Sequence, residues 1–510
     1  MTGKQLSSLI LNLDIVETRG SNNPEILGVT YDSRRVQPGD LFTALEGFHT
    51  DGHLFIEQAI DAGASAVLHS GKLSSYRKNI DYIRIDDSRR ALSTVSAAFH
   101  DHPSGELTVI GVTGTDGKSS TVWFIYQLLE ALGASSGFIS TVNLKTGEEV
   151  EKNPLRQSTP EAPEVQCLLR LMVDSGKKYA VIEATSHGLS ERTCRLKDVQ
   201  FNAAVLTNIS HEHLEFHGTL KQYRSDKANL FRKLSGTGPS KSQTGASDFG
   251  VVNLDDTNYR FFLNQTDAQI YTYSMKTKEA DLFAGNFEPD IQGTGFTIHL
   301  HDEKERAHLN LPGLFNVENL LAASLTVLKL LDIGLNDICP LFPSLKGVKG
   351  RMECIDLGQP FRLMVDYAHT PESFEKLFPL VKKYTPGSLL AVFGSAGERD
   401  RKKRPLQGRL AAEFCDFLVL TDEDPREEKS MAILKEIAAG CAGMKEGRDL
   451  FLEPDRKKAI RLAISEARKG DTLLLLGKGH EQSIIHAQGP VPWDEAEVAR
   501  SILKEMGFGS

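Results

Sequence analysis

The sequence lacks the features that mark secreted, membrane-spanning and zinc-binding proteins. Its six cysteines are scattered over 510 residues, and no two of them form a CxxC pair. Scattered cysteines suit free thiols in a reducing compartment better than a disulfide framework or a zinc site. No apolar run approaches the roughly 20 residues of a membrane span, and the N-terminal stretch has no small-residue cleavage site of a secretory signal. We therefore expect a cytoplasmic protein without a membrane span.

The sequence also has fewer positively charged than negatively charged residues. The 59 Lys and Arg residues face 68 Asp and Glu residues, so the formal net charge is −9. This balance argues against a broad surface for nucleic acid, although it is compatible with a local anion pocket. At 510 residues the chain is too long for one hydrophobic core, and we expect several domains.

A glycine-rich loop between a strand and a helix is the most informative segment. Residues 111–120 read GVTGTDGKSS, after the apolar run 107–110 and before an amphipathic pattern that Gly133 ends. Glycines let backbone N–H groups approach an anion, and the helix N-terminus adds a favourable dipole. In such a loop Lys118 reaches the terminal phosphates of a nucleotide and Ser119 holds a magnesium ion. The sequence therefore predicts that the protein binds ATP with Mg²⁺.

The pattern of strands and helices divides the chain into three segments. Residues 1–102 alternate short apolar runs with turns, and DHPSG at 101–105 is typical of a linker. Residues 103–345 alternate strands with helical patterns, which indicates a mainly parallel sheet. Residues 346–510 repeat this alternation and predict a doubly wound, Rossmann-like domain. We therefore expect an α/β protein of three domains that binds its ligands at the carboxyl ends of the strands.

Carboxylates and histidines follow two predicted strands of the central segment. Glu183 opens the motif EATSH after the first strand, and TNISHEHLEFHGT occupies 207–219 after the second. A carboxylate and an imidazole beside a phosphate loop can coordinate Mg²⁺, which prefers hard ligands and bridges phosphates. His211, His213 and His217 also allow a zinc site, although the lack of nearby cysteines favours magnesium.

Taken in order, these motifs resemble those of the Mur ligases, which build the peptide of bacterial peptidoglycan. The resemblance covers essentially the whole chain and is greatest to the MurE type, the UDP-N-acetylmuramoyl-L-alanyl-D-glutamate:diamino-acid ligases. Several motifs are weak alone, whereas together and in this order they are very specific. The matching segments are YDSRRVQPGDLF, TDG, GVTGTDGKSS, STP, EATSHGL, TNISHEHLEFHGT, LPGLFNVENLLAA, GVKGRME, VDYAHTPES, GERDRKKRP, DEDPR and GKGHE.

The resemblance implies roles in an ATP site. Lys118 and Ser119 would serve ATP and magnesium, and Glu183 and His213 would be magnesium ligands. Lys227 matches a lysine that carbon dioxide converts to a carbamate, which is an anion able to bind a second metal. The other nucleotide contacts that the resemblance implies are Gly114, Thr115, Asp116, Gly117, Ser120, Asn316, Asn319, Arg351, Asp366 and His369.

A second set of residues resembles the family's site for the UDP-muramoyl dipeptide. Thr185 stands where most relatives have serine, so the hydroxyl is kept. After His187-Gly-Leu the chain departs from the family's Gln-x-Arg pattern, and either Arg192 or Arg195 would replace the substrate-binding arginine. The residues of this set are Tyr31, Ser33, His49, Thr50, Asp51, Ser158, Thr159, Thr185 and Arg192.

The C-terminal segment resembles the family's diamino-acid pocket. The usual diaminopimelate motif is Asp-Asn-Pro-Arg, whereas this chain has Glu-Asp-Pro-Arg. The guanidinium of Arg426 suits the distal carboxylate of meso-diaminopimelate, whereas the carboxylate of Asp424 favours an ammonium group and hence lysine or ornithine. Because Arg399 is also present, meso-diaminopimelate is favoured, with lysine and ornithine as alternatives. The pocket residues are Arg399, Glu423, Asp424, Pro425, Arg426, Gly477 and Glu481.

The resemblance therefore implies an ATP-dependent amide ligase of cell-wall precursor synthesis. The D-glutamate carboxylate would form an acyl phosphate, which the amine of the diamino acid would attack. The expected partners are the UDP-N-acetylmuramoyl dipeptide and the diamino acid, without nucleic acid, and we expect a monomer. The alternatives are a folylpolyglutamate-synthase-like ligase, an inactive Mur-like binding scaffold and an ordinary phosphate-loop kinase.

Overall fold

The computed structural model divides the chain into two compact units. The first unit comprises Met1–Glu288, Gly295–Leu309 and Leu314–Leu345, and the second comprises Pro289–Thr294, Asn310–Gly313 and Lys346–Ser510. The structure describes residues 3–47, 50–155, 157–210, 214–234, 247–289 and 293–509.

The N-terminal part of the first unit is a sheet with helices on both faces. Its strands are β1 (Lys4–Gln5), β2 (Ile15–Arg19), β3 (Glu25–Ile26), β4 (Gly28–Thr30), β5 (Asp40–Thr43), β6 (Ala66–His69) and β7 (Asp81–Ile85). Its helices are α1 (Leu6–Leu9), α2 (Ile56–Asp61) and α3 (Ser88–Phe99), with 3-10 turns at Gly52–Phe55 and Pro103–Gly105. The sheet has the order β2-β7-β6-β5-β4, in which β4 to β7 are parallel and β2 is antiparallel to β7.

The two faces of this sheet are buried because successive strand residues point to opposite sides. Leu68 packs with α3, which presents Val95 and Phe99 at a spacing of four residues. Val67, its neighbour in β6, packs instead with Ile60 of α2. The N-terminal sheet thus forms a three-layered α/β core.

The central part of the first unit is a larger sheet. Its strands are β8 (Thr108–Thr113), β9 (Ser136–Ile139), β10 (Asn143–Lys145), β11 (Glu151–Lys152), β12 (Tyr179–Glu183), β13 (Ala203–Leu206), β14 (Phe249–Asn253), β15 (Gln269–Ser274), β16 (Leu282–Pro289), β17 (Thr294–Leu300) and β18 (Glu303–Leu309). The strand order is β11-β10-β9-β12-β8-β13-β14-β15-β16-β17-β18. From β9 to β16 neighbouring strands are parallel, which confirms the predicted mainly parallel sheet.

Helices connect and cover the central strands. They are α4 (Lys118–Ala131), α5 (Ala162–Asp174), α6 (Ser186–Leu189), α7 (Leu214–His217), α8 (Leu220–Arg232), α9 (Tyr259–Leu263), α10 (Leu314–Leu331) and α11 (Leu335–Ile338), followed by a 3-10 segment at Cys339–Ser344. Among the described residues, α10 is the one helix long and apolar enough to cross a membrane, with a mean hydropathy of 1.4. Because 72% of it is buried inside the protein and it packs on α4, we interpret it as a core helix.

The second unit is a doubly wound α/β domain, as the sequence predicts. Its strands are β19 (Glu353–Ile355), β20 (Arg362–Asp366), β21 (Leu389–Phe393), β22 (Phe417–Leu420), β23 (Leu450–Leu452), β24 (Thr472–Leu476), β25 (Ser483–His486) and β26 (Gly489–Pro492). Its helices are α12 (Pro371–Lys383), α13 (Lys403–Phe414), α14 (Ser430–Ala438), α15 (Arg456–Glu466) and α16 (Glu495–Glu505). The main sheet has the order β19-β20-β24-β21-β22-β23, and only β19 pairs antiparallel in it.

A buried ion pair joins the ends of two strands in the second unit. Arg456 donates to both carboxylate oxygens of Glu495, at distances between 2.6 and 3.1 Å. It also donates to the carbonyls of Asp422 at 2.9 Å and Leu476 at 2.7 Å. Asp422 follows β22 and Leu476 ends β24, so the pair fixes the starts of the two loops that leave these strands.

We expect Glu495→Gln to destabilise the second unit by about 3–5 kcal/mol, because it leaves a buried guanidinium without its counter-charge. Urea unfolding monitored by the fluorescence of Trp493, which donates to Glu495, measures the effect. Glu497→Gln on the same helix is the matched control. Its exposed pair with Arg500 contributes little, so its unfolding midpoint should stay near that of the wild type. Equal midpoints for the two variants would contradict the importance of the buried pair.

Candidate active site

The phosphate loop lies between β8 and α4, as the sequence predicts. Gly117 caps α4 with φ of 81°, and Gly114 has φ of 148°. A Cβ atom on Gly114 would lie 1.8 Å from Oγ1 of Thr207, and one on Gly117 would lie 2.1 Å from Oδ1 of Asn319. Both positions therefore require glycine, and Asn319 packs directly against the loop. The result is a backbone cradle at a helix N-terminus, which suits an anion.

The segment after β13 holds the phosphate loop in place. The backbone N–H of Thr115 donates to the carbonyl of Asn208 at 2.7 Å, and the N–H of Asp116 donates to the side-chain oxygen of Asn208 at 2.9 Å. In return Oγ1 of Thr207 donates to the carbonyl of Asp116 at 2.6 Å. Lys118 Nζ donates to the carbonyl of Thr115 at 2.7 Å. The roles of Thr207 and Asn208 were not predicted from the sequence, although both residues lie in the motif TNISHEHLEFHGT.

Glu183 connects the phosphate loop to a neighbouring strand end. Its Oε2 atom accepts from Ser119 Oγ at 2.9 Å, from Ser140 Oγ at 3.0 Å and from the N–H of Thr141 at 3.0 Å. The residue is only 2% exposed. A carboxylate and a hydroxyl side by side are hard oxygen donors, so the pair fits a magnesium ion bound next to a phosphate. The contribution of Ser140 was not predicted.

Lys227 also lies against the phosphate loop. This residue of α8 is 1% exposed, and its Nζ atom donates to the carbonyl of Gly114 at 2.6 Å. The Nζ atom also lies 4.5 Å from the ring centroid of Tyr223, whose hydroxyl is 3.1 Å from Oγ1 of Thr115. A lysine that the sequence matched by motif is therefore adjacent to the predicted nucleotide site. Its carbamylation stays a prediction.

The histidine-rich segment is described only in part. His211 and His213 lie outside the described residues, so the magnesium role of His213 stays a prediction. In His217, Nδ1 is 2.6 Å from Oδ2 of Asp226 and Nε2 is 3.0 Å from Oγ of Ser186. Because both ring nitrogens are engaged, His217 is poorly suited to a zinc site. Within the described ranges no group of three His, Cys, Asp or Glu residues is placed to hold a metal ion.

The structure distinguishes the two candidate arginines of the dipeptide site. Arg195 Nη1 donates to the carbonyl of Thr159 at 3.0 Å, and Nη2 lies 2.7 Å from the carboxylate of Glu161. Arg192 instead donates to the carbonyl of Phe216 at 2.7 Å and lies over its ring. Arg195 is therefore the arginine beside the Ser158–Thr159 segment, whereas the set predicted from the sequence included Arg192. Which of the two contacts the substrate stays a prediction.

Thr159 and Thr185 form one hydroxyl pair at the end of β12. Their Oγ1 atoms are 2.9 Å apart, and Thr159 also donates to the carbonyl of Glu183 at 2.7 Å. Thr185 additionally caps α6 by accepting from the N–H of Gly188. Ser158 is half-buried next to this pair. Thr185 thus lies two residues after Glu183, and Thr159 is bonded to the backbone of Glu183.

Tyr31 links the N-terminal sheet to α5. Its hydroxyl donates to Oε1 of Glu164 at 3.3 Å, and Arg35 lies 3.4 Å from the same oxygen. Burial raises the pKa of Tyr31, so the hydroxyl remains a donor. Ser33, which the resemblance assigns to the UDP group, donates to Gln58 at 3.2 Å.

The second predicted UDP-contact segment, 49–51, is tied to His53. Asp51 accepts from the N–H of His53 at 3.0 Å, and one of its oxygens is 2.6 Å from Nδ1 of the ring. The carbonyl of Thr50 accepts from the N–H of Gly47 at 3.0 Å. His49 lies outside the described residues.

In the second unit, Asp366 at the end of β20 organises the predicted nucleotide contacts. Its two oxygens accept from the N–H groups of Met352 and Ala368, each at 2.8 Å, and burial raises the pKa of this carboxyl. The Arg351 guanidinium lies 4.7 Å from the ring centroid of Tyr367. His369 Nδ1 is 2.9 Å from the carbonyl of Tyr367. Tyr367 therefore connects Arg351 with His369, a role that the sequence did not indicate.

Asp424 of the predicted diamino-acid pocket is paired with Lys478. Oδ1 of Asp424 accepts from Lys478 Nζ at 2.8 Å and from the N–H of Ile485 at 2.9 Å. Lys478 is fully buried and also donates to Oε2 of Glu481, whose Oε1 accepts from Tyr367. The sequence did not indicate a role for Lys478, although this residue lies inside the motif GKGHE.

Arg404, whose role the sequence did not indicate either, joins the two loops that carry the predicted arginines. It is fully buried and donates to Glu428 at 2.9 Å and to the carbonyl of Ala396 at 3.1 Å. Glu428 lies two residues after Arg426 and also accepts from the N–H of Glu398, next to the exposed Arg399. The Arg404 guanidinium holds the pKa of Glu428 at about 2.

Buried polar atoms without a partner collect at the carboxyl edge of the second unit's sheet. They include Oε2 of Glu423, Nε of Arg426, Oγ of Ser395 and Nδ1 of His480, none of which has a hydrogen-bond partner among the described residues. Burial raises the pKa of Glu423. A Cβ on Gly477 would lie 3.1 Å from Oε2 of Glu423, so this glycine keeps the approach open. Unpaired buried groups of both charges suit a site that completes its hydrogen bonds with a ligand.

Three sequence models of one family match successive parts of the chain. They are described as "Mur ligase family, catalytic domain" at residues 25–100, "Mur ligase middle domain" at 112–327 and "Mur ligase, glutamate ligase domain" at 350–479. A UDP-N-acetylmuramyl-tripeptide synthetase of Roseiflexus sp. (strain RS-1) is 49% identical, over 96% of each chain. The chain belongs to the Mur ligase family.

Other relatives of this Mur ligase are named either as tripeptide synthetases or as 2,6-diaminopimelate ligases. A UDP-N-acetylmuramyl-tripeptide synthetase of Borreliella burgdorferi is 46% identical over 99% of this chain and 98% of the relative. A UDP-N-acetylmuramoyl-L-alanyl-D-glutamate–2,6-diaminopimelate ligase of Caldanaerobacter subterraneus is 36% identical over 96% and 97%. A solved structure of a ligase with the latter name has a TM-score of 0.68 at 28% identity, covering 99% of both chains.

More distant structures share the fold of this Mur ligase. A folylpolyglutamate synthase of Mycobacterium tuberculosis in complex with ADP has a TM-score of 0.59 at 15% identity and covers 76% of this chain. The three family matches confirm the predicted three-domain architecture, while the boundaries after residues 102 and 345 stay predictions.

We expect Gly114→Ala to weaken ADP binding by about a hundredfold, because the added Cβ displaces the loop from Thr207. Isothermal titration with ADP and Mg²⁺ measures the effect. Gly133→Ala is the matched control, since this glycine also has a positive φ, 75°, but has open space around its Cβ position. The control should lose about 1 kcal/mol of stability and keep its affinity for ADP. Similar ADP affinities for both variants would refute the assignment of the cradle.

Proposed function

We propose that this Mur ligase joins a diamino acid to UDP-N-acetylmuramoyl-L-alanyl-D-glutamate and converts ATP to ADP and phosphate. The observation that carries the proposal is the contact of Glu183 with Ser119 of the phosphate loop, together with the bond from Lys227 to the carbonyl of Gly114 in that loop. Relatives that are 36–49% identical over nearly the whole chain carry names of this activity.

The first step is phosphoryl transfer to the D-glutamate side-chain carboxylate. The attacking carboxylate oxygen bonds to the γ-phosphorus of ATP while the bond to ADP breaks, which gives an acyl phosphate. Such transfer depends mainly on positioning and charge neutralisation. The backbone cradle around Gly114 binds the phosphates, and Lys118 swings from Thr115 to the terminal phosphate. Ser119, Glu183, His213 and Lys227 (as a carbamate) would hold magnesium, which would neutralise the charge of the phosphates.

The second step is attack of a neutral amine on the acyl phosphate. The amine nitrogen bonds to the acyl carbon, phosphate leaves and the amine loses a proton. Thr159, Thr185 and Arg195 would bind the muramoyl dipeptide near Glu183. Thr159 supports this, because it bonds to the carbonyl of Glu183, to Thr185 and to Arg195. The UDP group extends to Tyr31 and Ser33 in the N-terminal sheet.

The incoming amino acid binds at the carboxyl edge of the second unit's sheet. Arg426, whose Nε lacks a partner among the described residues, takes a carboxylate, and Arg399 provides a second cation. These two residues favour meso-diaminopimelate. Lysine or ornithine is the second candidate, because the carboxylate of Asp424 disfavours a further carboxylate nearby. The enzyme acts as a cytoplasmic monomer.

Three other functions fit the observations less well. A folylpolyglutamate synthase shares the fold over only 76% of the chain, whereas the diaminopimelate ligase structure covers 99%. An inactive scaffold has no need for the bonded set of Ser119, Glu183 and Lys227. An ordinary phosphate-loop kinase has no use for the unpaired groups around Glu423.

The proposal predicts that ADP formation requires both the UDP-muramoyl dipeptide and a diamino acid. A coupled assay with meso-diaminopimelate, lysine and ornithine in turn measures ADP, and mass spectrometry identifies the tripeptide product. Phosphate release that needs no amine would contradict the ligase reaction. A product from a folate substrate and glutamate would favour the first alternative.

We expect Lys227→Ala to reduce ligase turnover by roughly a hundredfold or more, because an anionic metal ligand is lost. Lys227→Glu should retain more activity than Lys227→Ala, since a carboxylate partly replaces the carbamate. Lys221→Ala, at an exposed position on the same helix, is the control and should behave as wild type. Full activity of Lys227→Ala, with or without added bicarbonate, would remove the carbamate from the mechanism.

A further inference from the structure

A fully buried lysine lies between two acidic residues of the predicted diamino-acid pocket. Lys478 Nζ is 2.8 Å from Oδ1 of Asp424 and also donates to Oε2 of Glu481. The side chain of Asp424 is 12% exposed, while that of Lys478 is inaccessible to solvent. At such burial the charges interact strongly and are poorly screened. Asp424 therefore does not act as an isolated anion in this chain.

The Lys478–Asp424 pair differs from an ordinary structural ion pair in the groups that surround it. It lies between Gly477, which faces Glu423, and the unpaired ring nitrogen of His480. Its partner Asp424 is two residues before Arg426 and also accepts from the N–H of Ile485. The paired charges thus lie among the very groups that lack partners. A ligand that hydrogen-bonds to Glu423 and Arg426 therefore also interacts with the charges of the Asp424–Lys478 pair.

The charges of the predicted pocket balance as long as this pair is intact. Its acidic members are Glu423, Asp424 and Glu481, and its basic members are Arg399 and Arg426, to which the structure adds Lys478. The two candidate substrate types differ by one charge at the distal end. meso-Diaminopimelate has a carboxylate and an ammonium group there, whereas lysine and ornithine have the ammonium group alone. A change of one unit in the pocket charge should therefore alter the preference between them.

We infer that Lys478 is a specificity-determining residue, which neutralises Asp424 and thereby sets how well the pocket accepts a carboxylate on the distal carbon of the diamino acid. The inference rests on the proposed function. Lys478 acts through Asp424 and Glu481, so it is a positioning residue. Removing the charge of Asp424 leaves Lys478 in excess and favours meso-diaminopimelate. Removing the charge of Lys478 leaves one carboxylate in excess and favours lysine or ornithine.

The test compares kcat/KM for meso-diaminopimelate with kcat/KM for ornithine in the full-length enzyme. Relative to wild type, Asp424→Asn should raise this ratio about tenfold, and Lys478→Met should lower it about tenfold. The double variant Asp424→Asn/Lys478→Met restores the balance, so its ratio should return to within about threefold of wild type. Lys469→Met, at an exposed position of the same unit, is the control and should leave the ratio unchanged.

The outcomes separate this inference from the proposed function. If the wild type forms ADP with none of the diamino acids, the proposed function fails. If the wild type is active but both single variants keep its ratio, or shift it in the same direction, the role of Lys478 is refuted. A purely structural lysine would lower turnover with both amino acids and leave the ratio constant. If Lys478→Met does not fold, the Asp424→Asn ratio decides alone, and an unchanged ratio refutes the inference.

Discussion

Parallel pairing of β8 with its two neighbours is the constraint on which the nucleotide site depends. In the register of the sheet, Glu183 lies opposite Val112 and Leu206 lies opposite Thr113. Three strands therefore end at the same level, and the loops that follow them meet. This alignment brings Glu183 to Ser119 and Thr207 to the phosphate loop, although these partners are far apart in the chain. A shift of one residue would turn each strand-end side chain to the opposite face.

Burial of Glu183 has a cost that its neighbours offset. A carboxylate that is 2% exposed loses most of its hydration, which is unfavourable unless hydrogen bonds replace it. Donors from Ser119, Ser140 and the backbone of Thr141 provide this replacement. Two of these are hydroxyls that can rotate, so they can release the carboxylate when a cation approaches. The same arrangement thus stabilises the folded site and leaves it ready for a metal.

The second unit contains two kinds of charged group: some pair with each other and stabilise the fold, and others keep buried atoms without a partner among the described residues. Arg456 with Glu495 and Arg404 with Glu428 are internal pairs that fix the strand ends and the loops around Arg399 and Arg426. Glu423 and Arg426 retain unpaired buried atoms. Lys478 with Asp424 belongs to both groups, because it is an internal pair within the ligand-facing edge. Rigid pairs of this kind keep the unpaired groups in place without neutralising them.

The sequence by itself determined the features that depend on local signals. Apolar runs located β12, β13, β21 and β24, and the glycines located the loop that contains Gly114 and Gly117, where the structure has positive φ. The order of the motifs indicated the family. These features could be predicted because strand formation and glycine conformations depend on neighbouring residues.

Only the tertiary structure decided which of the matched residues contact each other. It selected Arg195 over Arg192 beside Thr159, placed Asn319 against Gly117, added the short strand β23, and paired Lys478 with Asp424. The last two residues are 54 positions apart in the sequence. The charge that a ligand meets at Asp424 depends on that contact, because the nearby positive charge of Lys478 offsets the negative charge of the carboxylate. Sequence could identify the acidic residue, but only the fold brought its counter-charge to it.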